Sequence, residues 1–491
     1  MAKTALGFWN VMDFGARGDR QARDDPAIQQ AIDTCHQAGG GVVYLPTGDY
    51  LAGTIQLKSG VTLQLGAGAT IWASVHEADY DAAEIKSLIL GEELHDVAIV
   101  GRGRIHGQGV EGGRPPFRPF MVYLLRCRNI LIENITVEYA PFWTIHLFHC
   151  DTAEIRGVTI LNNVNRPNTD GIDPNCSRNV SISDCHIVAG DDCIVLKTTQ
   201  EYPCENITVS NCTLETGAAA LKLGTETQGD IRHCTFSNCV IRNTRNGIGL
   251  FMKDGSTIED IIFSNITVET NHGPTKKGEW PIFMSIERRR VDSKVGRIRD
   301  VVFSNMIIYT RGRCFIEGAP EQPIENLTFH NVTMKIRGYE DSSEIRKIRG
   351  GRSVDKETTT TKYDTIPAYL IFAHVEGLRL HGVQVLLRSP EALEKRSALY
   401  GDHLQGVELN GFRGRQTIPG ELPAIQLNQC RDVVLRGCSA PEGTGVFLGL
   451  TGAETRDIAL IANDLSRAKS VLKKAADIGD NALFQAGNRL P

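Results

Sequence analysis

Along the chain, apolar and polar side chains alternate with a period of two, in short runs that open on a polar pair and close on Asn, Asp or Gly before another apolar residue. The run reads HDVAIVGR from His95, RNILIENI from Arg128, TAEIRGVT from Thr152, RNVSISDC from Arg178 and ENITVSNC from Glu205. It continues as RHCTFSNC from Arg232, EDIIFSNI from Glu259, RDVVFSNM from Arg299 and ENLTFHNV from Glu325. Weaker copies follow from Glu376, Gln405, Arg431 and Arg456. Four consecutive starts, at 178, 205, 232 and 259, are spaced by 27. Period two marks strands with one buried face. A repeat of about 23 to 29 residues, with short strands and no helical periodicity, predicts one coil of a right-handed parallel β-helix. Such a coil cannot bury its own apolar face, and stacking at about 4.8 Å supplies the core. The expected fold class is therefore all-β, a single solenoid domain over 1–491 with about 10–14 coils.

Two columns follow from stacking the repeats. Asp184, Asn211, Asn238, Asn265, Asn305 and Asn331 fall at one point of each coil, where side-chain amides can hydrogen-bond up a ladder. Beside them run Cys185, Cys212, Cys239, Ile266, Met306 and Val332, an inward column of modest apolar side chains. The 13 cysteines include no CxxC spacing, so the expectation is buried free thiols and not a disulfide framework. The Asn-x-Thr matches at Asn134, Asn206, Asn265, Asn326 and Asn331 read as by-products of the ladder.

Three places break the rhythm. Asp25 to His36 predicts a helix capped by Asp24 or Asp25, with Ile28, Ala31 and Ile32 turned onto the first coil. Insertions are expected at 267–297 and 334–375, where the repeat spacing grows to 40 and 51. Asp464 to Ala476 (DLSRAKSVLKKAA) predicts a short helix covering the other end.

Composition changes the picture little. With 41% hydrophobic residues the chain can build a large core, and its 49 glycines suit a chain that turns many corners. A net charge of −5 and a pI near 6.2 give no electrostatic case for nucleic acid or a membrane surface, while a few local Lys or Arg would still hold an acidic substrate. No run approaches the ~18 apolar residues of a membrane span. The opening MAKTALGFWN carries no apolar signal region, so the expected location is cytoplasmic, or secreted or periplasmic if a leader has been removed.

The chemistry concentrates in Arg166 to Lys197, which contains Asp170, Asp173, Asp191 and Asp192. Asp170 precedes Asp191 by 21 positions and Asp192 by 22, close to one coil. Aligning apolar positions sets GIDPNC beside CIVLKT, then ALKLGT, then GLFMKD, which stacks Asp170 next to Asp192 with Asp191 one residue earlier. Carboxylates this close repel, so at least one pKa must rise. Driving carboxylate pKa values apart is how one site obtains both the acid and the base that glycosidic hydrolysis needs. A lone NTD or DD would read as turn residues; together, at a coil's spacing, they point to catalysis.

NTDGID from Asn168 and GDDCIVLK from Gly190 resemble the first two signature motifs of the family 28 glycoside hydrolases, the polygalacturonase group. DFGARGD from Asp13, GGGVVYLPTGDY from Gly39 and PFWTIHLFHC from Pro141 are similar to that family's cap and early coils, and the resemblance spans roughly 10–333. It implies that Asp191 protonates the leaving oxygen and that Asp170 and Asp192 hold and activate water. It further implies single-displacement inversion with no metal or cofactor, and carboxyls roughly 6.5–9.5 Å apart. Two family features are missing. Ala219 or a neighbour stands where the Gly-His-Gly histidine is expected, and Phe251 where Arg-x-Lys has its arginine, while Lys253 is retained and Lys222 lies on the coil between. Loss of a bidentate carboxylate binder is not conservative, so the expected substrate is a pectin-related oligosaccharide other than plain polygalacturonan. The candidate substrate-binding residues are Lys253, Lys222, Lys197, Asn168, Asp173 and Trp143.

The insertions, with Trp280, Arg288, Arg289, Arg290, Arg349 and Arg352, would wall one end of a groove and favour removal of terminal sugars. The family resemblance leans towards a monomer. Two other readings compete. A polysaccharide lyase on the same scaffold would need an Arg or Lys base, usually with Ca²⁺. A non-catalytic carbohydrate-binding β-helix would not need mutually repelling carboxylates.

Overall fold

The computed structural model describes residues 7–80, 84–110, 116–271, 278–337, 362–388, 394–418, 420 and 422–491. Over these residues the chain is almost entirely strand, paired in parallel coil upon coil, a right-handed parallel β-helix. It divides into two compact units, Met1–Lys222 and Leu223–Pro491.

The first unit opens on Phe8–Asn10, which pairs with Gly41–Leu45, and on the predicted helix, Asp25–Gln37. Ile28, Ala31, Ile32 and Cys35 of that helix are fully buried. Asp24 sits at the helix start, but its carboxylate accepts from the Arg17 and Gly18 amides (2.6 and 3.2 Å) and makes no side-chain cap. Each later coil has three short strands. Ile145–Phe148, Asp151–Arg156 and Thr159–Leu161 form one coil, and Ile172–Asn175, Arg178–Ser183 and His186–Ala189 form the next. Ile145 pairs with Ile172, Asp151 with Arg178 and Thr159 with His186. The next step pairs Ile172 with Ile194, Arg178 with Glu205 and His186 with Thr213. Each register step fixes which residues stand above one another, so side chains just before Ile172 and Ile194 share one edge.

In the second unit the repeat starts pair in the order Arg232, Glu259, Arg299, Glu325, Glu376, Gln405, Arg431 and Arg456, through both predicted insertions. Its core contains a continuous stack of Phe236, Phe263, Phe303 and Phe329, with successive ring centroids 4.8, 5.0 and 4.8 Å apart. All 13 cysteines are buried and free.

The amide ladder is present in both units. The Asn211 amide donates to Asp184 (3.2 Å) in the first; in the second, Asn265 donates to Asn238, Asn305 to Asn265 and Asn331 to Asn305 (3.1, 3.2 and 2.9 Å). Every ladder residue has φ between 53° and 56°, a left-handed conformation that Asn and Asp tolerate better than other L residues. A further ladder joins Asn206 to Asn179 and Asn326 to Asp300 (both 3.0 Å).

One expectation is corrected. The helix predicted over Asp464–Ala476 is instead a strand, Ala468–Lys474, paired parallel with Thr444–Thr451. Its residues favour helix locally, but the open edge of Thr444–Thr451 offers a full row of backbone partners, and tertiary pairing overrides weak propensity. Within the 267–297 segment, Thr267–Thr270 and Trp280–Ile286 are strands of the stack, the latter paired with Asn246–Met252. Trp280 is buried against Phe251, Phe283, Phe315 and Tyr363 and belongs to the core of this unit. Of the second segment, Arg349 and Arg352 lie outside the described residues.

Candidate active site

The carboxylates lie on one edge of the first unit because Ile172 and Ile194 are register partners. Asp170 and Asp192 each stand two residues before them, and the Gly171 amide donates to the Asp192 carbonyl (2.9 Å). Asp170, Asp173 and Asp192 are buried, at 2%, 0% and 3% exposure, and Asp191 is partly exposed. Side chains on alternate residues of a strand share a face. Asp173 and Asn175 therefore extend the row on the inner strand, and Lys197, the register partner of Asn175, meets it one coil on.

Two ammonium groups are built into this row. Lys197 Nζ lies 3.1 Å from Asp170 Oδ2 and 3.3 Å from Asp173 Oδ1, and 4.1 Å from the Trp143 ring centroid. Lys222 Nζ donates to Asp192 Oδ2 (2.6 Å), while the Ala219 amide donates to Asp192 Oδ1 (3.2 Å). The position where the histidine motif was expected thus supplies a backbone N–H, and a lysine takes the other carboxylate oxygen. Asp191 Oδ2 accepts from the Asn168 amide (2.9 Å), and Asn168 sits at φ 59°. Its side-chain oxygen accepts from Arg118 (3.3 Å). Thr216 Oγ1 donates to the Asp191 carbonyl and accepts from the Ala218 amide, which anchors the Asp-Asp turn.

Charge balance limits the protonation states. Burial pushes Asp170 well above the usual carboxylate range, Lys197 opposes this, and the neighbouring aspartates add to it. Burial pushes Asp173 up to about 7, again against Lys197. One ammonium faces two carboxyls, which keeps both above the ordinary carboxylate range. Among the described residues Asp170 Oδ1 and Asp173 Oδ2 are buried with no hydrogen-bond partner, which works in the same direction. Asp191 is raised by burial first and by the charge of Asp192 second, with Lys222 and the Asn168 amide opposing. Burial works against the Lys222 ammonium, but the nearby Asp192 and Asp191 together outweigh it and raise its pKa.

His146, the register partner of Asp173, completes the floor. Burial, then the Lys197 charge, pushes it down to about 3, so it is neutral. It packs against Trp143, Phe120 and Tyr123 and takes the Asn175 amide on Nε2 (3.2 Å). His146, Asn175, Arg118 and Thr216 went unmarked in the sequence. His146 could have been found from the alignment of PFWTIHLF with GIDPNC, which places it one coil below Asp173. Lys253 belongs to the second unit, where it is buried and its ammonium lies 2.8 Å from Glu287. Arg289 is likewise engaged there, with Asp254 (2.6 Å) and the Thr225 carbonyl (2.6 Å).

Residues 35–354 match the sequence model of the Glycosyl hydrolases family 28. The chain belongs to this family. A probable polygalacturonase of Vitis vinifera is 35% identical over 215 residues, covering 38% of this chain and 44% of that relative. The chain spans under half the length of the first curated relatives it matches. Among solved structures, a hyperthermoactive exopolygalacturonase from Thermotoga maritima aligns at TM-score 0.63 and 21% identity, over 78% of this chain and 93% of that one. A family 28 exopolygalacturonase of Yersinia enterocolitica aligns at TM-score 0.62 and 19% identity, over 79% and 76%. Both likenesses concern the fold. Among the described residues no helix is long and apolar enough to cross a membrane.

Proposed function

We propose that this protein is a glycoside hydrolase that cleaves a glycosidic bond of a pectin-related oligosaccharide, derived from galacturonic acid or rhamnogalacturonan, by single-displacement inversion. The observation that carries this reading is the division of labour among the carboxyls. Asp191 is the most exposed of the four, and burial together with its neighbour's charge favours its protonated form. It is suited to protonate the leaving oxygen. Asp192, held by the Lys222 ammonium and the Ala219 amide, is suited to take a proton from the attacking water, with Asp170 beside it as partner.

Family membership supports the reaction class, and the name of the Vitis vinifera relative supports a uronate-containing substrate. Lys197 and Lys222 are engaged with aspartates, so their role in this reading is to set carboxylate charge. Substrate contact then falls to Trp143 and Asn168 at the partly exposed rim.

The test is Asp191→Asn assayed on homogalacturonan, xylogalacturonan and rhamnogalacturonan fragments. Loss of at least about a thousandfold in turnover, with an unchanged thermal midpoint, is the expected result. Near wild-type turnover would sink the assignment. Unsaturated products absorbing in the ultraviolet would instead indicate a lyase. Release of single sugars without a fall in viscosity would support attack from a chain end, the mode favoured by the insertions.

A further inference from the structure

In the first unit Val122, Ile145 and Ile172 are successive register partners. The pairing runs back ahead of them, with the Met121 amide donating to the Trp143 carbonyl (3.3 Å) and the Thr144 amide to the Asp170 carbonyl (2.9 Å). Arg118, Pro141 and Asn168 each stand four residues before one of these partners, so Arg118 and Asn168 share a station two coils apart. At about 4.8 Å per coil that is a span of about 9.6 Å, which only a long side chain crosses. Arg118 crosses it. Its guanidinium lies 4.6 Å over the Phe142 ring of the coil between and donates to Asn168 Oδ1 (3.3 Å). Phe142 is itself stacked on Trp143, with ring planes 8° apart and centroids 5.5 Å apart.

What Arg118 holds is the residue whose backbone amide donates to Asp191 Oδ2 (2.9 Å). Asn168 sits at φ 59°, in the small left-handed basin, so the direction of its amide depends on what fixes the residue there. The turn around it is tied by Thr169 Oγ1, which donates to the Arg166 carbonyl and accepts from the Gly190 amide (both 3.0 Å). Neither bond reaches Asn168. Among the described residues Arg118 is the partner of the Asn168 side chain. The amide in turn holds the Asp191 pKa down against burial and the charge of Asp192, so an amide that wanders should let that pKa rise.

We propose that Arg118 is a positioning residue for Asp191: laid on Phe142, it clamps the Asn168 side chain from two coils away and so keeps the Asn168 amide on the carboxylate. The role of Asp191 as the acid rests on the function proposed above; the clamp itself does not. The experiment follows the Asp191 carboxyl by carbon-13 NMR across pH in the full chain, its resonance identified as the one lost in Asp191→Asn. Wild type is compared with Arg118→Met, Asn168→Gly and the double variant, and pH–rate profiles are recorded on a pectic oligosaccharide. Asn168→Gly keeps the left-handed backbone and the amide while removing the acceptor that Arg118 grips. Thermal melts check that each variant folds.

Arg118→Met should move the Asp191 titration and the alkaline limb of the rate profile to higher pH, by at least about 0.5 unit. It should lower kcat at least about fivefold with KM within about twofold, since a misplaced acid costs rate and not ground-state binding. Asn168→Gly should give a shift of the same sign, and the double variant should shift no further than the larger single one. Arg118→Lys should recover part of the effect, because an ammonium still donates without the flat stack. Additive shifts would overturn the clamp, as they would mean that Arg118 acts by its charge alone. A lowered thermal midpoint with an unmoved Asp191 titration would also overturn it, leaving Arg118 a structural role. If the titration moves as expected while no pectic substrate is hydrolysed, the clamp stands and the catalytic reading fails. If Asp191→Asn abolishes hydrolysis while Asp191 titrates alike in wild type and Arg118→Met, the catalytic reading stands and the clamp fails.

Discussion

Lys197 is the residue on which the acidic row depends. It stands between Asp170 and Asp173 with only 4% exposure. Removing one partner of a buried ion pair leaves an uncompensated charge, at a cost of about 3–5 kcal/mol. Lys197→Met should therefore destabilise strongly at pH 8 and less at pH 5, where the aspartates can take up protons. Equal losses of thermal midpoint at both pH values would contradict this. Asp173 allows a cleaner sign check. Its folded pKa, about 7, is raised above the ordinary 3.8, so between those values the folded state binds more protons than the unfolded one. Stability should fall as pH rises through about 4 to 7, by up to the order of 4 kcal/mol from this group. Asp173→Asn should flatten that slope, as read from melts across the window.

In the proposed reaction Lys222 bears on both the acid and the base. Its charge lowers the Asp191 pKa and neutralises Asp192. Lys222→Met should shift the alkaline limb of the pH–rate profile to higher pH, because the acid then holds its proton longer. It should also lower kcat by at least about tenfold, because the base loses its counter-ion. A kcat loss with an unmoved limb would reduce Lys222 to a structural role.

At the scale of the element, the ladder and the phenylalanine stack do different work. Asn265 both donates to Asn238 and accepts from Asn305, at φ 55°. Asn265→Ala should cost about 2–4 kcal/mol in denaturant unfolding, combining two hydrogen bonds with left-handed strain. Asn265→Gly should recover the backbone part only. If alanine and glycine prove equivalent, the conformational half of the explanation is wrong. The strand Ala468–Lys474 makes the complementary point: its composition favours helix, yet the edge beside Thr444–Thr451 decides its form.

At the scale of the whole molecule, parallel stacking converts sequence spacing into distance, and this is why residues 21 or 22 positions apart come to one edge of the first unit. The proposed inversion is testable on the first-formed product, whose anomeric configuration should be opposite to that of the substrate by NMR at early times. Retention would require a nucleophilic carboxylate and a different pairing of roles.

Period-two alternation and the 27-residue spacing determined the coil, its register and the ladder, because each coil must bury the same face as its neighbour. The same register placed Asp170 beside Asp192, as Ile172 pairing with Ile194 bears out. The tertiary structure decided what the lysines face. Spacing alone offered Lys197 and Lys222 as ligands for a sugar carboxylate, whereas burial turned both onto aspartates that would otherwise be unbalanced charges. It also decided that Trp280 is core and Trp143 covers Lys197, and that His146 is neutral. Local sequence sets strand and turn; the charge state of a buried group depends on every neighbour the fold brings against it.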